Sequence, residues 1–105
     1  MNLDQLTHPL VRAAIDALQR GDRTAWAACF AADARLLDDG RATSLAEFTR
    51  DAVGSERFTS IDRVGNAGLE IIGHFHSDRW GDFRTYFRFH IGADGKCDQL
   101  DIGQQ

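Results

Sequence analysis

The chain has 105 residues, 12 basic and 16 acidic side chains, and 43% hydrophobic content, which is enough for one folded domain spanning 1–105 with its own core. A net charge of −4 and a pI near 5.4 give no electrostatic footprint for a nucleic-acid backbone or an anionic membrane, so neither is an expected partner. No apolar run approaches a spanning length, Met1-Asn2-Leu3-Asp4-Gln5 lacks the order of a signal peptide, and Cys29 and Cys97 stand alone without metal-type spacing, so a cytoplasmic location and no cofactor are expected.

In chain order, Leu6, Leu10, Ala14 and Leu18 recur every four residues, widened by Val11 and Ile15, and predict a first helix. Pro9 suits its first turn behind a Thr7 cap, and Gly21 suits its end. Asp22 caps a shorter second helix with Trp26, Cys29 and Phe30 on its buried side. A short extended segment, Ala34 to Asp38, meets the turn pair Asp39-Gly40. Ser44-Leu45-Ala46-Glu47 fits a capping box, and the third helix should run to about Val53 and stop at Gly54.

Beyond Gly54 the apolar period changes from 3.6 to 2, and four strands are expected: Phe58 to Val64, Leu69 to His76, Phe83 to Ile91, and Cys97 to Ile102. In the third of these, Phe83, Thr85, Phe87, Phe89 and Ile91 share one face, while Arg84, Tyr86, Arg88 and His90 share the other. Helices followed by a strand meander specify an α+β domain with the helices on one face of a curved antiparallel sheet.

The segments Ala17-Leu18-Gln19-Arg20-Gly21-Asp22, Cys29-Phe30-Ala31-Ala32-Asp33-Ala34, Phe87-Arg88-Phe89 and Asp94-Gly95-Lys96, in this order and spacing, resemble the nuclear transport factor 2-like superfamily, in particular its small SnoaL-like and ketosteroid isomerase-like members. The resemblance implies a cystatin-like cone: helices and a strongly bent sheet around a pocket, with the sheet's outer face commonly forming a homodimer. It also implies a small organic ligand in the pocket, lined here by Ala14, Trp26, Phe30, Ile72, Thr85, Phe87, Phe89 and Leu100. It does not fix a function, because such folds host isomerases, dehydratases, cyclases and binding modules.

Taken position by position, the resemblance puts Asp38 where the isomerases carry their general base. The two oxyanion-donor positions hold Ala14 and Thr85 instead. Removing even one such donor costs about 10²–10³ in rate in well-studied sites, so steroid isomerisation by that route is not expected. Asp38 has two open readings: a base whose pKa rises in an apolar pocket, or an ordinary turn residue before Asp39-Gly40.

His74 and His76 alternate on one predicted strand together with Glu70 and Ile72. If that face looks inward, two imidazoles meet Asp38 and can shuttle protons. If Leu69, Ile71 and Phe75 take the core instead, the histidines point outward. Gly68 followed by His74-Phe75-His76 opens like the cupin metal motif, but Trp80 and Gly81 stand where that motif needs glutamate, and no metal is expected. Trp80 is read as a cover for the pocket mouth or as part of a subunit contact. Arg84, Tyr86 and Arg88 have the composition of an interface centre, and a homodimer through the outer sheet face is expected. The leading expectation is a small-molecule domain with acid–base chemistry by Asp38, His74 and His76; the rival is a binding or assembly module whose pocket is filled by its own side chains.

Overall fold

A computed structural model describes residues 2–105. The elements are α1 (Pro9–Arg20), α2 (Arg23–Ala28), β1 (Phe30–Asp38), β2 (Arg41–Thr43), α3 (Leu45–Asp51), β3 (Glu56–Gly65), a 3-10 turn (Asn66–Gly68), β4 (Glu70–Ser77), β5 (Gly81–Ile91) and β6 (Cys97–Gln104). Three helices pack on a curved, unclosed six-stranded sheet, the α+β class expected. The strand order is β2-β1-β6-β5-β4-β3, with β1 and β6 parallel and the other neighbours antiparallel.

Helix α1 buries Val11, Ala14, Ile15, Ala17 and Leu18 and ends where Gly21 turns left-handed at φ 69°. Its cap is His8, not Thr7: the His8 Nδ1 accepts the Leu10 N–H at 3.2 Å, with Pro9 at the first helical position. Asp22 caps α2 as expected, accepting the Ala25 N–H at 2.9 Å. Ser44 accepts the Glu47 N–H at 3.1 Å, while the Glu47 carboxylate lies along a cavity rather than folding back on the helix start. Asp39 (φ 50°) and Gly40 (φ 83°) form the tight β1–β2 turn, both in the left-handed region that such turns demand.

The sheet has two chemically distinct faces. Leu36, Phe58, Ile71, Phe75, Phe87, Phe89, Leu100 and Ile102 face the helices and form the core with α1 and Trp26. The Phe58 ring meets Phe75 and Phe87 edge-on, each at 5.0 Å. Two register shifts in β3, flanking Thr59 and Asp62, bend that edge strand. In the first, Phe58 turns its peptide to helix α1: Gln19 donates to the Phe58 carbonyl at 2.9 Å and accepts its N–H at 2.8 Å. Among the described residues, no helix is long and apolar enough to cross a membrane.

Candidate functional site

The bend leaves a cavity of about 630 Å³ between α3, the ends of β1 and β6, and the β4–β5 turn. One wall is aromatic: Phe75, Phe83 and Phe87 from neighbouring strands, with Phe48 from α3 opposite and Trp80 at the mouth. Strand pairing sets the orientation of Asp38. It lies opposite Ile102, and Leu36 opposite Leu100, so it extends the inward-facing row of β1 into the cavity. Asp38 is an exposed residue lining this cavity, yet partial desolvation raises its pKa above the usual aspartate value, and the neighbouring Asp39 charge pushes the same way.

A second carboxylate, that of Glu56 at the start of the opposite edge strand, lines the same space from across the fold. Burial raises its pKa first; the Ser77 hydroxyl, donating at 2.9 Å, opposes this, and the charges of Asp38 and Asp78 add to it. Ser77 also accepts the N–H groups of Arg79 at 3.2 Å and Trp80 at 3.1 Å. One buried hydroxyl therefore ties Glu56 to the turn that carries the mouth tryptophan. Neither Glu56 nor the Phe75–Phe83 wall was identified as part of the site from sequence. The aromatic wall was legible as the inward row of Phe83, Thr85 and Phe87, but nothing local marks Glu56, which reaches the site only because the sheet curls.

His74 and His76 do not join Asp38. They lie on the convex face, where they are paired across the ladder with Arg84 and Asp82, while Ile71 and Phe75 take the core. His74 Nδ1 is 2.9 Å from Asp62, and His76 contacts Asp82 at 2.6 Å and Asp78 at 3.1 Å. The arrangement with apolar residues inward is the correct one, because burying Ile71 and Phe75 outweighs burying two imidazoles. The hydrogen bonds to Asp82 and Asp78 raise the His76 pKa.

Of the expected lining residues, Thr85 and Phe87 line the cavity. The Thr85 hydroxyl donates to the Gly103 carbonyl at 2.6 Å, so its proton is already committed. The others are corrected. Ala14, Trp26, Phe89 and Leu100 are core residues away from the cavity, and Ile72 sits on the convex face opposite Tyr86. Phe30 lines a separate alanine-rich groove beside β1. Trp26 is fully enclosed, with Phe30 at 4.9 Å and Phe48 at 5.8 Å, and its indole N–H has no partner among the described residues. Arg84, Tyr86 and Arg88 lie on the convex face: Arg84 is 3.6 Å from Asp62, and Arg88 pairs with Glu70 while its guanidinium lies over the Tyr86 ring at 4.3 Å. Burial raises both thiol pKa values, that of Cys97 to about 11, so neither is a ready nucleophile.

No protein-family model and no curated protein sequence matches the chain. Solved structures do. An NTF2-like protein of unknown function from Cytophaga hutchinsonii superposes with a TM-score of 0.74 at 13% identity, over 91% of this chain and 87% of that one. The fold is NTF2-like. A candidate polyketide cyclase from Xanthomonas campestris shares it with a TM-score of 0.68 at 20% identity, over 99% of this chain and 93% of that one. The orange carotenoid protein of Anabaena, in a structure binding canthaxanthin, gives 0.71 at 15% identity over 91% of this chain but 35% of its own. At such identities the likeness to NTF2-like proteins establishes architecture alone, and chemistry has to be argued from the cavity.

Proposed function

We propose that the chain binds a small organic molecule in the cavity, with Asp38 as the general base of a proton transfer. The observation that carries this is a carboxylate with a raised pKa, itself solvent-accessible and without a hydrogen-bond or ion-pair partner among the described residues, lining a cavity of about 630 Å³ together with Phe48, Phe83 and Trp80. That volume falls within the roughly 300–1,000 Å³ of small-molecule sites. A base with a raised pKa is better matched to abstraction near neutral pH than a free aspartate. Asp38 would take a proton from the ligand and return it at a second atom, or pass it with a leaving group, as in isomerisation or dehydration. Glu56, tethered by Ser77, is placed to hold the second proton. The candidate polyketide cyclase of the same fold, and the canthaxanthin-binding protein that contains this fold in about a third of its length, are consistent with small organic ligands.

Binding without turnover is the second reading, and the committed Thr85 hydroxyl favours it, because an enolate formed beside Asp38 would find that donor occupied. Deuterium uptake from D₂O into a panel of small enolisable ketones, neutral and amine-bearing, separates the two. Turnover predicts exchange that Asp38→Asn lowers by at least about 100-fold. Binding of panel members without exchange would leave only the second reading.

We also propose that the convex face carries a homodimer contact, built on Arg84, Tyr86 and Arg88 with Ile72 beside them, and that the protein works in the cytoplasm, where its two free thiols stay reduced. Sedimentation at micromolar concentration should show a dimer; a monomer removes the contact.

A further inference from the structure

The charges around the cavity are lopsided. Asp38 and Asp39 stand at the end of β1, Glu47 and Asp51 on α3, and Glu56 at the start of β3, against one lining cation among the described residues, Arg79. These groups are not equivalent. Asp51 is engaged by Arg50 at 2.8 Å, which lowers its pKa, and an ideal Cβ on Gly103 would meet the Asp39 carboxylate and the Tyr86 hydroxyl, which places Asp39 toward the convex face. Asp38 and Glu56 differ from both: they line the cavity from the second strand and from the far edge strand of the sheet, and no described cation pairs with either.

Phe75, Phe83 and Phe87 also line the cavity; Phe75 and Phe87 are almost wholly buried, so the half-buried Phe83 and Phe48 and the exposed Trp80 offer most of the accessible aromatic surface, and aromatic ring faces carry partial negative charge. Trp80 at the mouth is 68% exposed, and Arg79 lies over its ring at 4.7 Å, so a cation–π contact already forms at the rim. Two carboxylates without a paired cation among the described residues outweigh the lining Arg79, which already lies over Trp80, and the accessible aromatic surface adds to the same sign. That combination attracts a positive group on an apolar body and repels carboxylate or phosphate.

We infer that the cavity takes an organic cation, an amine or ammonium group carried on an apolar or aromatic body, held between Asp38 and Glu56 against the phenylalanine wall. This rests on the reading of the cavity as a ligand site and adds the charge of the ligand to it. The amine would donate to both carboxylates while its body covers Phe83 and Phe48. Protonating Asp38 and Glu56 would remove the attraction. Both carboxyls are held above their ordinary pKa values, so affinity should fall on acidification sooner than normal carboxylates would dictate.

Three probes with one phenylpropyl body separate charge from shape: 3-phenylpropylamine, 3-phenylpropan-1-ol and 3-phenylpropanoate. Amide-shift titrations of the labelled full chain report both affinity and location. Near neutral pH the amine should shift the amides of Asp38, Glu56, Phe75 and Thr85 and bind about 10–100-fold tighter than the alcohol, as expected for hydrogen bonds to charged groups. The carboxylate should not saturate. Asp38→Asn and Glu56→Gln should each erode the amine's advantage while leaving the alcohol unchanged. If alcohol or carboxylate equals the amine at these same amides, the charge inference is overturned and the ligand site stands. If no probe shifts cavity amides, the ligand site falls with it.

Discussion

Gly73→Ala tests the curvature that brings Glu56 to Asp38. Gly73 lies inward on β4 opposite Ile61, between the two register shifts of β3, and an ideal Cβ there would stand 2.2 Å from the Ser60 carbonyl oxygen and 3.2 Å from the Phe58 ring. The oxygen belongs to backbone, so β3 must retreat by about 1 Å, straining the ladder on both sides of the bulge. Overpacking of this kind costs about 1–3 kcal/mol, and with a ladder bond lost the total reaches about 3 kcal/mol. Replacing glycine returns up to about 1 kcal/mol by restricting the unfolded chain. A net loss of about 2 kcal/mol corresponds to a fall in Tm of roughly 8–16 °C for a domain of this size. Gly40→Ala is the control: its Cβ would meet nothing within 4 Å, and only the left-handed backbone at φ 83° opposes it, a cost of about 1 kcal/mol. Calorimetry of the two variants checks the argument. A Tm for Gly73→Ala equal to or above that of Gly40→Ala would refute the claim that β3 is pressed onto β4 at this point.

Ser77→Ala should cost about 1–3 kcal/mol, since it strips a buried hydroxyl from Glu56 and from the Arg79 and Trp80 amides; Trp80 fluorescence should show a looser turn, and unchanged denaturation would contradict the tether. The folded chain holds the Asp38 and Glu56 protons more tightly than the unfolded chain, so these groups make stability fall as pH rises from the ordinary carboxylate range through their raised values. Urea titrations across that window should show a flatter slope for Asp38→Asn and Glu56→Gln; an unaltered slope would be evidence against the desolvation. His76 acts in the same direction at higher pH. Its pKa is raised by Asp82 and Asp78, so its stabilisation is complete below the ordinary value of 6.5 and is lost as pH rises through the higher folded value. An NMR titration should place the His76 midpoint above 6.5 and bring it down in Asp82→Asn; a wild-type midpoint at or below 6.5 would speak against the pair.

Much of this fold was legible because side-chain period reports faces directly. The alternation Phe83, Thr85, Phe87, Phe89 named the core side of β5, and Asp39-Gly40 named a turn that needs two left-handed residues. The His74–His76 face was not decidable locally, since Ile72 shares the histidines' face; what decides it is the register with β5, a partner in space. The same holds for the site. Asp38 is visible by its position after an apolar strand, whereas Glu56 becomes its neighbour only through the curl from β1 to β3, set by two register shifts and a glycine. The parallel pairing of β1 with β6 joins segments far apart in sequence, and β2 is too short and exposed to leave a pattern.

The ligand cavity itself is tested most directly by a crystal structure of the protein as purified from cells. The account predicts Asp38 and Glu56 facing a common cavity of about 630 Å³, with any retained organic molecule lying against Phe75, Phe83 and Phe87. A site closed by Phe48 and Trp80, with Asp38 turned to bulk solvent, would contradict it.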